Sequence, residues 1–322
     1  MGNLSAKMIE LDNGVYVIPG NTNVGVICSK LEEVVEVYLV DSGATEIDSE
    51  YIFDIITDFF QQTGTKFYIK AILTTHAHAD HCGGHNFLKE KTNCKILAAK
   101  HEQGSMETPM IQCTTLWGGY PPHELRTLYF KPEETYVDDF IGENTTITLS
   151  DNRLISFMEL HGHSHCSLAI IITTAENKKI VFAGDNIFPK GEIGHYWIPL
   201  IINPVMFMES LDKLCSIKDI LWCIPSHGDF LKRNIEETAE LNKIAILSTR
   251  MCILESLKDG KTHTAEEIIK FVADKNNLKM SLTQYALISS TVKSYISIMH
   301  DAKEIKLKVE NNTLYFYRDI TI

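Results

Sequence analysis

The stretch AILTTHAHADHCGGH, residues 71 to 85, constrains this chain more than any other: His76, His78, Asp80, His81 and His85 crowd together just where an apolar run ends. Imidazole and carboxylate are preferred donors for zinc and its neighbours. A spacing of two along an extended loop puts His76 and His78 on one side, while Asp80 and His81 turn toward a second position beside the first. His85 falls on a helix face rather than among the donors. The first expectation is therefore a buried strand that ends in a metal-ligand loop.

Three more stretches supply further donors. LHGHSHCS, FAGDNIF and CIPSHGD each follow or end an apolar, strand-like run and offer His163, Asp185 and His227. An aspartate can bridge two cations, and two metals about 3.5–4 Å apart can share one hydroxide. Seven ligands make two sites.

The rest of the chain reads as alternating strand and helix. GVYVI, VGVICS and VEVYLVDSG open it as strands, and YIFDIITDFFQQTG has helical spacing that ends at Gly64. KAILTT, CKILAA, ISFMEL, SLAIIITT and KKIVFAG continue the strands, with a helix near HNFLKEKT, so an α/β sandwich with active loops at strand ends is expected. Between about 101 and 145 the segment containing LWGGYPPHELRTLYF is less regular and suits a pocket wall or lid.

From about 234 the sequence turns helical. Thr264 with Glu267 and Ser281 with Gln284 have the capping-box spacing, and EIKLKV and TLYFYR flank ENN as a hairpin, so a winged-helix-like module is expected. The domain boundaries that follow are 1–235 for a catalytic domain and 236–322 for the tail.

Charge and cysteine usage narrow the partners. The net charge is −12, which argues against general nucleic-acid binding, whereas the chain from Arg250 onward has 11 basic against 9 acidic residues. The eight cysteines form no CxxC pair and read as reduced. With no apolar run of membrane length and no basic-then-apolar N-terminus, a cytoplasmic location without membrane contact is expected.

With its motifs in order over residues 10 to 235, the sequence resembles the metallo-β-lactamase-fold hydrolases. The resemblance implies an αββα sandwich, one metal held by His76, His78 and His163, and a second held by Asp80, His81 and His227, with Asp185 bridging. Two zinc ions are expected, iron and manganese being the alternatives, with Asp80 also catalytic in orienting a metal-bridging hydroxide. The reaction expected is hydrolysis of a small-molecule ester or thioester, by a homodimer formed through the tail.

Departures from the branches of that family guide the choice of substrate. The lactonases typically carry Tyr three residues after the bridging aspartate, where Phe188 stands here, and many β-lactamases carry Cys where Asp185 stands. The GD..F pattern resembles glyoxalase II, whose tail differs from this one. A winged-helix tail resembles the endoribonuclease branch, but SLTQYALISSTVKSYISIMHD carries one lysine and no arginine. An endoribonuclease or phosphodiesterase, or a mono-iron persulfide dioxygenase, are the alternatives. In GEIGHYWIPLI, His195, Tyr196 and Trp197 are expected to contact substrate.

Overall fold

The computed structural model describes residues 7–127, 130–196, 199–233 and 235–319, with the side chains of 194–196 excepted. Seven strands form a first sheet in sequential order: β1 (Ile9–Asp12), β2 (Val15–Ile18), β3 (Val24–Leu31), β4 (Val34–Val40), β5 (Lys66–Leu73), β6 (Lys95–Ala98) and β7 (Asp139–Phe140). Six form a second sheet, also in sequential order: β8 (Thr146–Thr148), β9 (Leu154–Leu160), β10 (Ser167–Thr173), β11 (Lys179–Gly184), β12 (Ile220–Pro225) and β13 (Leu231–Lys232).

The central strands are apolar on both faces because both faces are covered. In β4, Tyr38 and Val40 join the core between the sheets, where Leu168, Ile170 and Ile172 of β10 meet them. Val35, Val37 and Leu39 point the other way, toward α1 (Glu46–Thr63) and its Ile52, Ile56 and Phe60. Thr45 caps α1 by accepting from the Asp48 N–H, and Gly64 ends it at φ 66°, as the sequence pattern required.

Two short helices follow, α2 (Ala79–Cys82) and α3 (His85–Thr92), and then α4 (Gln103–Glu107) and α5 (Met110–Trp117). The stretch from 101 to 145 is thus partly helical, which its Gly, Pro and aromatic residues conceal. After β11 come α6 (Lys190–Tyr196) and α7 (Pro204–Ser216). Phe207, Leu211 and Leu214 of α7 cover Ala169 and Ile171 on the outer face of the second sheet, completing an αββα sandwich.

The tail contains α8 (Glu236–Ser256), α9 (Ala265–Lys275), α10 (Leu282–Asp301), and the hairpin β14 (Lys306–Glu310) with β15 (Thr313–Tyr317). Both expected capping boxes form. Asn311 and Asn312 take positive φ, which a tight two-residue hairpin turn needs. The apolar cluster on the outer face of the second sheet runs without a break through Ile246 and Ile253 of α8 to Val292, Tyr295 and Ile296 of α10.

Candidate metal centre

Sheet register brings the donors to one edge. β4 and β5 are parallel with Val40 opposite Leu73, so Asp41 and the loop that begins at Thr74 leave the first sheet side by side. β11 and β12 are parallel with Gly184 opposite Pro225, so Asp185 and His227 leave the second sheet in the same way. β9 and β10 pair Leu160 with Ser167, and the turn between them carries His163.

At that edge the structure brings together all seven donors expected from the sequence. His78 Nδ1 lies 2.9 Å from His76 Nε2 and 2.9 Å from His163 Nε2, with 3.2 Å between the last two. A tetrahedral cation at about 2.0–2.1 Å from each nitrogen separates its ligands by about 3.3 Å, so this triangle fits one. Asp80, His81 and His227 form a second convergent group. Asp80 Oδ2 stands 3.2 Å from His227 Nε2 and 3.6 Å from His81 Nε2.

Asp185 faces both groups. Its Oδ2 is 3.5 Å from His163 and 3.3 Å from His227, while Oδ1 is 3.4 Å from His81 Nε2. Both Oδ1 and His81 Nε2 are buried and make no hydrogen bond among the described residues. Orphaned polar atoms inside a protein are costly, and a cation satisfies both at once.

Electrostatics divides the two groups. Burial drives His78 and His163 down to about 4, and His76 well below its ordinary value, so these three imidazoles are neutral at pH 7. Burial also pulls His81 down, but the carboxylates of Asp80, Asp185 and Asp41 overrule it and lift His81 to about 10. His227 rises to about 12 for the same reason, chiefly through Asp185. Burial opposes ionisation of Asp80, yet His81 and His227 hold it down at about 2.

Several residues that hold the donors were not singled out from the sequence. Asp41, buried behind the site, accepts from Thr75 N–H, and its Oδ2 lies 2.9 Å from His81 Nδ1. This leaves His81 Nε2 as the inward donor, since a ring nitrogen tied to a carboxylate fixes the orientation of the other. Glu102 accepts from Ala77 N–H through Oε2, and from Ser164 Oγ and Cys166 N–H through Oε1. It thereby ties the His76–His78 loop to the His163 loop. Asp41 carried a sequence signal, a carboxylate ending an apolar strand beside the one that carries the histidines; Glu102 carried none.

His85 is fully buried between Ser42 Oγ, at 2.6 Å from Nδ1, and Thr74 Oγ1, at 2.8 Å from Nε2, so both ring nitrogens are occupied behind the site. The two glycines that follow His81 and Cys82 are steric requirements. A Cβ on Gly83 would lie 2.0 Å from the Ala44 oxygen, and one on Gly84 would lie 1.6 Å from Ser49 Oγ. His161 Nδ1 is 2.8 Å from the His165 carbonyl oxygen. Cys82 and Cys166 are buried, the latter against the Glu102 carboxylate through its N–H.

A cavity of about 320 Å³ opens over the donors, at the small end of the range for small-molecule pockets. Gln112, Leu116 and Phe130 form one wall, as expected for the irregular segment, and residues 278–288 of the tail form another. The expected substrate contacts His195, Tyr196 and Trp197 lie outside the residues and side chains that are described.

Comparison with known proteins agrees with this geometry. The family model of the metallo-beta-lactamase superfamily matches residues 17–221. A hydroxyacylglutathione hydrolase of Prochlorococcus marinus is 29% identical over 60% of this chain, and the match spans 64% of that relative. Ribonuclease J 1 of Streptococcus pyogenes serotype M3 is also 29% identical, over 68% of this chain and 35% of its own length. This chain therefore spans less than two thirds of the length of these curated relatives.

Among solved structures, a beta-lactamase domain protein from Burkholderia ambifaria superposes with a TM-score of 0.71 at 16% identity, covering 99% of this chain and 95% of that one. A metallo-beta-lactamase family protein from Thermus thermophilus also gives 0.71 at 16%, with 96% and 100% covered. These two show the shared fold. With its sandwich, its edge of histidines and aspartates, and a family match over most of its length, this chain belongs to the metallo-beta-lactamase superfamily.

Proposed function

We propose that the chain is a dinuclear hydrolase of small-molecule esters or thioesters, with catalytic residues 1–235 and a winged-helix-like tail at 236–322. The observation that carries this reading is the double convergence at Asp185, whose two oxygens face donors of both groups. His76, His78 and His163 would hold one cation, and Asp80, His81 and His227 the other, zinc being the metal best suited to this nitrogen-rich set. When bound, two divalent cations lower the pKa of water toward neutrality and polarise the substrate carbonyl oxygen.

The protein's own part is to orient and to move protons. Water adds its oxygen to the carbonyl carbon, the C–S or C–O bond breaks with its electron pair going to sulfur or oxygen, and the products are a carboxylate, a thiol or alcohol, and one released proton. Asp80, set between His81 and His227, orients the attacking water by accepting a hydrogen bond from it. Asp41 and Glu102 keep the imidazoles in place through the step, because misplacement of about 1 Å costs heavily in rate.

The same reading includes pairing of two copies through the tail, supported by Ile244, Leu247 and Met251, apolar residues exposed along α8. It also includes a cytoplasmic setting, supported by eight unpaired cysteines. Among the described residues no helix is long and apolar enough to cross a membrane. The ribonuclease match favours a phosphodiester substrate as the second reading, against which stands the single lysine of α10, Lys293. Metal analysis of protein from unsupplemented growth is the test: about two zincs per chain, with hydrolysis of esters or thioesters abolished by chelation, is expected. A single iron with oxygen uptake on persulfides would overturn the reading.

A further inference from the structure

The cavity over the donor cluster has a chemistry of its own. Phe188 stands beside the donors, Leu116 and Phe130 form one wall, and Leu200, Met280 and Leu287 form the rest of an apolar sheath. This sheath is held by packing: Leu116 and Phe130 form a small core with Ala286, against which Leu200 and Leu287 pack. The segment around α5 and the start of α10 therefore meet as one closed wall.

The rim is different. Lys279 and Gln284 are exposed and Thr283 is half-buried at the edge of the cavity. Lys279 makes no ion pair among the described residues. Gln284 uses its side-chain oxygen to accept from Ser281 N–H, and its amide N–H groups make no hydrogen bond among the described residues. Deeper in, Gln112 Oε1 is buried without a hydrogen-bond partner among the described residues, one acceptor for a hydroxyl or amide hydrogen of an occupant.

The hydrolytic chemistry needs only the floor of this chamber, and hydrocarbon is what an apolar sheath binds. The ammonium, which makes no ion pair among the described residues, lies in the part of the chain from Arg250 onward, where 11 basic residues stand against 9 acidic ones, so an anion is favoured on that side. We propose that the chamber is an acyl-chain pocket completed by the tail. The substrate is an ester or thioester of an apolar carboxylic acid, with a carboxylate or phosphate on its alcohol or thiol portion held at Lys279. This specifies the substrate of the hydrolase proposed above and rests on that reading.

The test uses the full, zinc-loaded chain and esters and thioesters of straight-chain acids of two to ten carbons, each with an anionic and a neutral leaving portion. kcat/KM is expected to rise about fourfold per added methylene until the chamber is full. Leu287→Trp flattens that slope, and Met280→Trp, on the link before α10, does the same if the first variant melts early. Lys279→Glu raises KM tenfold or more for anionic substrates relative to their neutral counterparts, and carboxylate against phosphate leaving portions separates the two anion sources.

A measurement independent of turnover is binding of decanoate and acetate to the metal-free protein by calorimetry. Decanoate is expected to bind the wild type and not Leu287→Trp. Decanoate binding without hydrolysis of any substrate would support the chamber and overturn the hydrolase reading. Hydrolysis indifferent to chain length, with no decanoate binding, would overturn the chamber.

Discussion

Glu102 is the place to break the site without touching a donor. Its carboxylate accepts two backbone N–H groups, from Ala77 and Cys166, and the Ser164 hydroxyl, and it is buried. In Glu102→Gln the side chain keeps its shape but one end becomes a donor. If the amide N–H₂ faces Ala77, that N–H loses its acceptor; if it faces the other loop, Ser164 can turn its hydroxyl to accept, but the Cys166 N–H cannot. Either way one buried backbone N–H is orphaned, at about 1–3 kcal/mol. Glu102→Ala orphans both backbone N–H groups, for about 2–6 kcal/mol, while the Ser164 hydroxyl keeps Ser167 Oγ as a partner.

Against a usual stability of about 5–15 kcal/mol the glutamine variant should fold and the alanine variant should be marginal. In a chain of this size about 2 kcal/mol corresponds to a melting-point drop of about 3 °C. The assay is urea and thermal unfolding of the metal-free proteins, followed by competition with a zinc chelator. Because Glu102 joins the loops of His76–His78 and His163, the site between those loops should also lose affinity. If both variants unfold within about 0.5 kcal/mol of wild type and bind zinc as tightly, the strut has no role and the argument fails.

Metal loading should release protons unequally. His76, His78 and His163 are neutral at pH 7, but His81 and His227, raised to about 10 and about 12, carry protons that a cation must displace. Calorimetry in buffers of different ionisation heat should show the first cation binding with little release and the second with up to two protons, its affinity rising with pH up to about 10, where His81 begins to lose its own proton; equal release would contradict this. Asp41→Asn removes the carboxylate behind His81 and should weaken zinc binding at the second position about 10–100-fold in chelator competition, with little change at the first. Gly84→Ala drives a methyl into Ser49 and should lower stability by about 1–3 kcal/mol or prevent folding, measured by denaturant unfolding. Met251→Glu should shift a tail-mediated dimer to monomer in sedimentation without altering the melting point by more than a few degrees.

The sequence by itself pointed to the seven side chains that the fold brings together and to the layers. Seven donors were legible because each sits in a short loop after an apolar run, a local pattern that strand geometry turns into position. The tail's helix starts were legible because a capping box is closed within four residues, and the hairpin because the ENN turn is local too.

What only the tertiary structure decided depends on long-range register. Asp41 reaches His81 because β4 and β5 run parallel with Val40 opposite Leu73, and Glu102 clasps two loops whose histidines, His76 and His163, are 87 residues apart in the chain. The cavity likewise joins α5 to α10, separated by more than 150 residues, and neither helix alone has an apolar face that announces a ligand. Local chemistry fixes what a loop can bind. Which buried carboxylate steadies it, and which distant helix covers it, follow from packing that no short window contains.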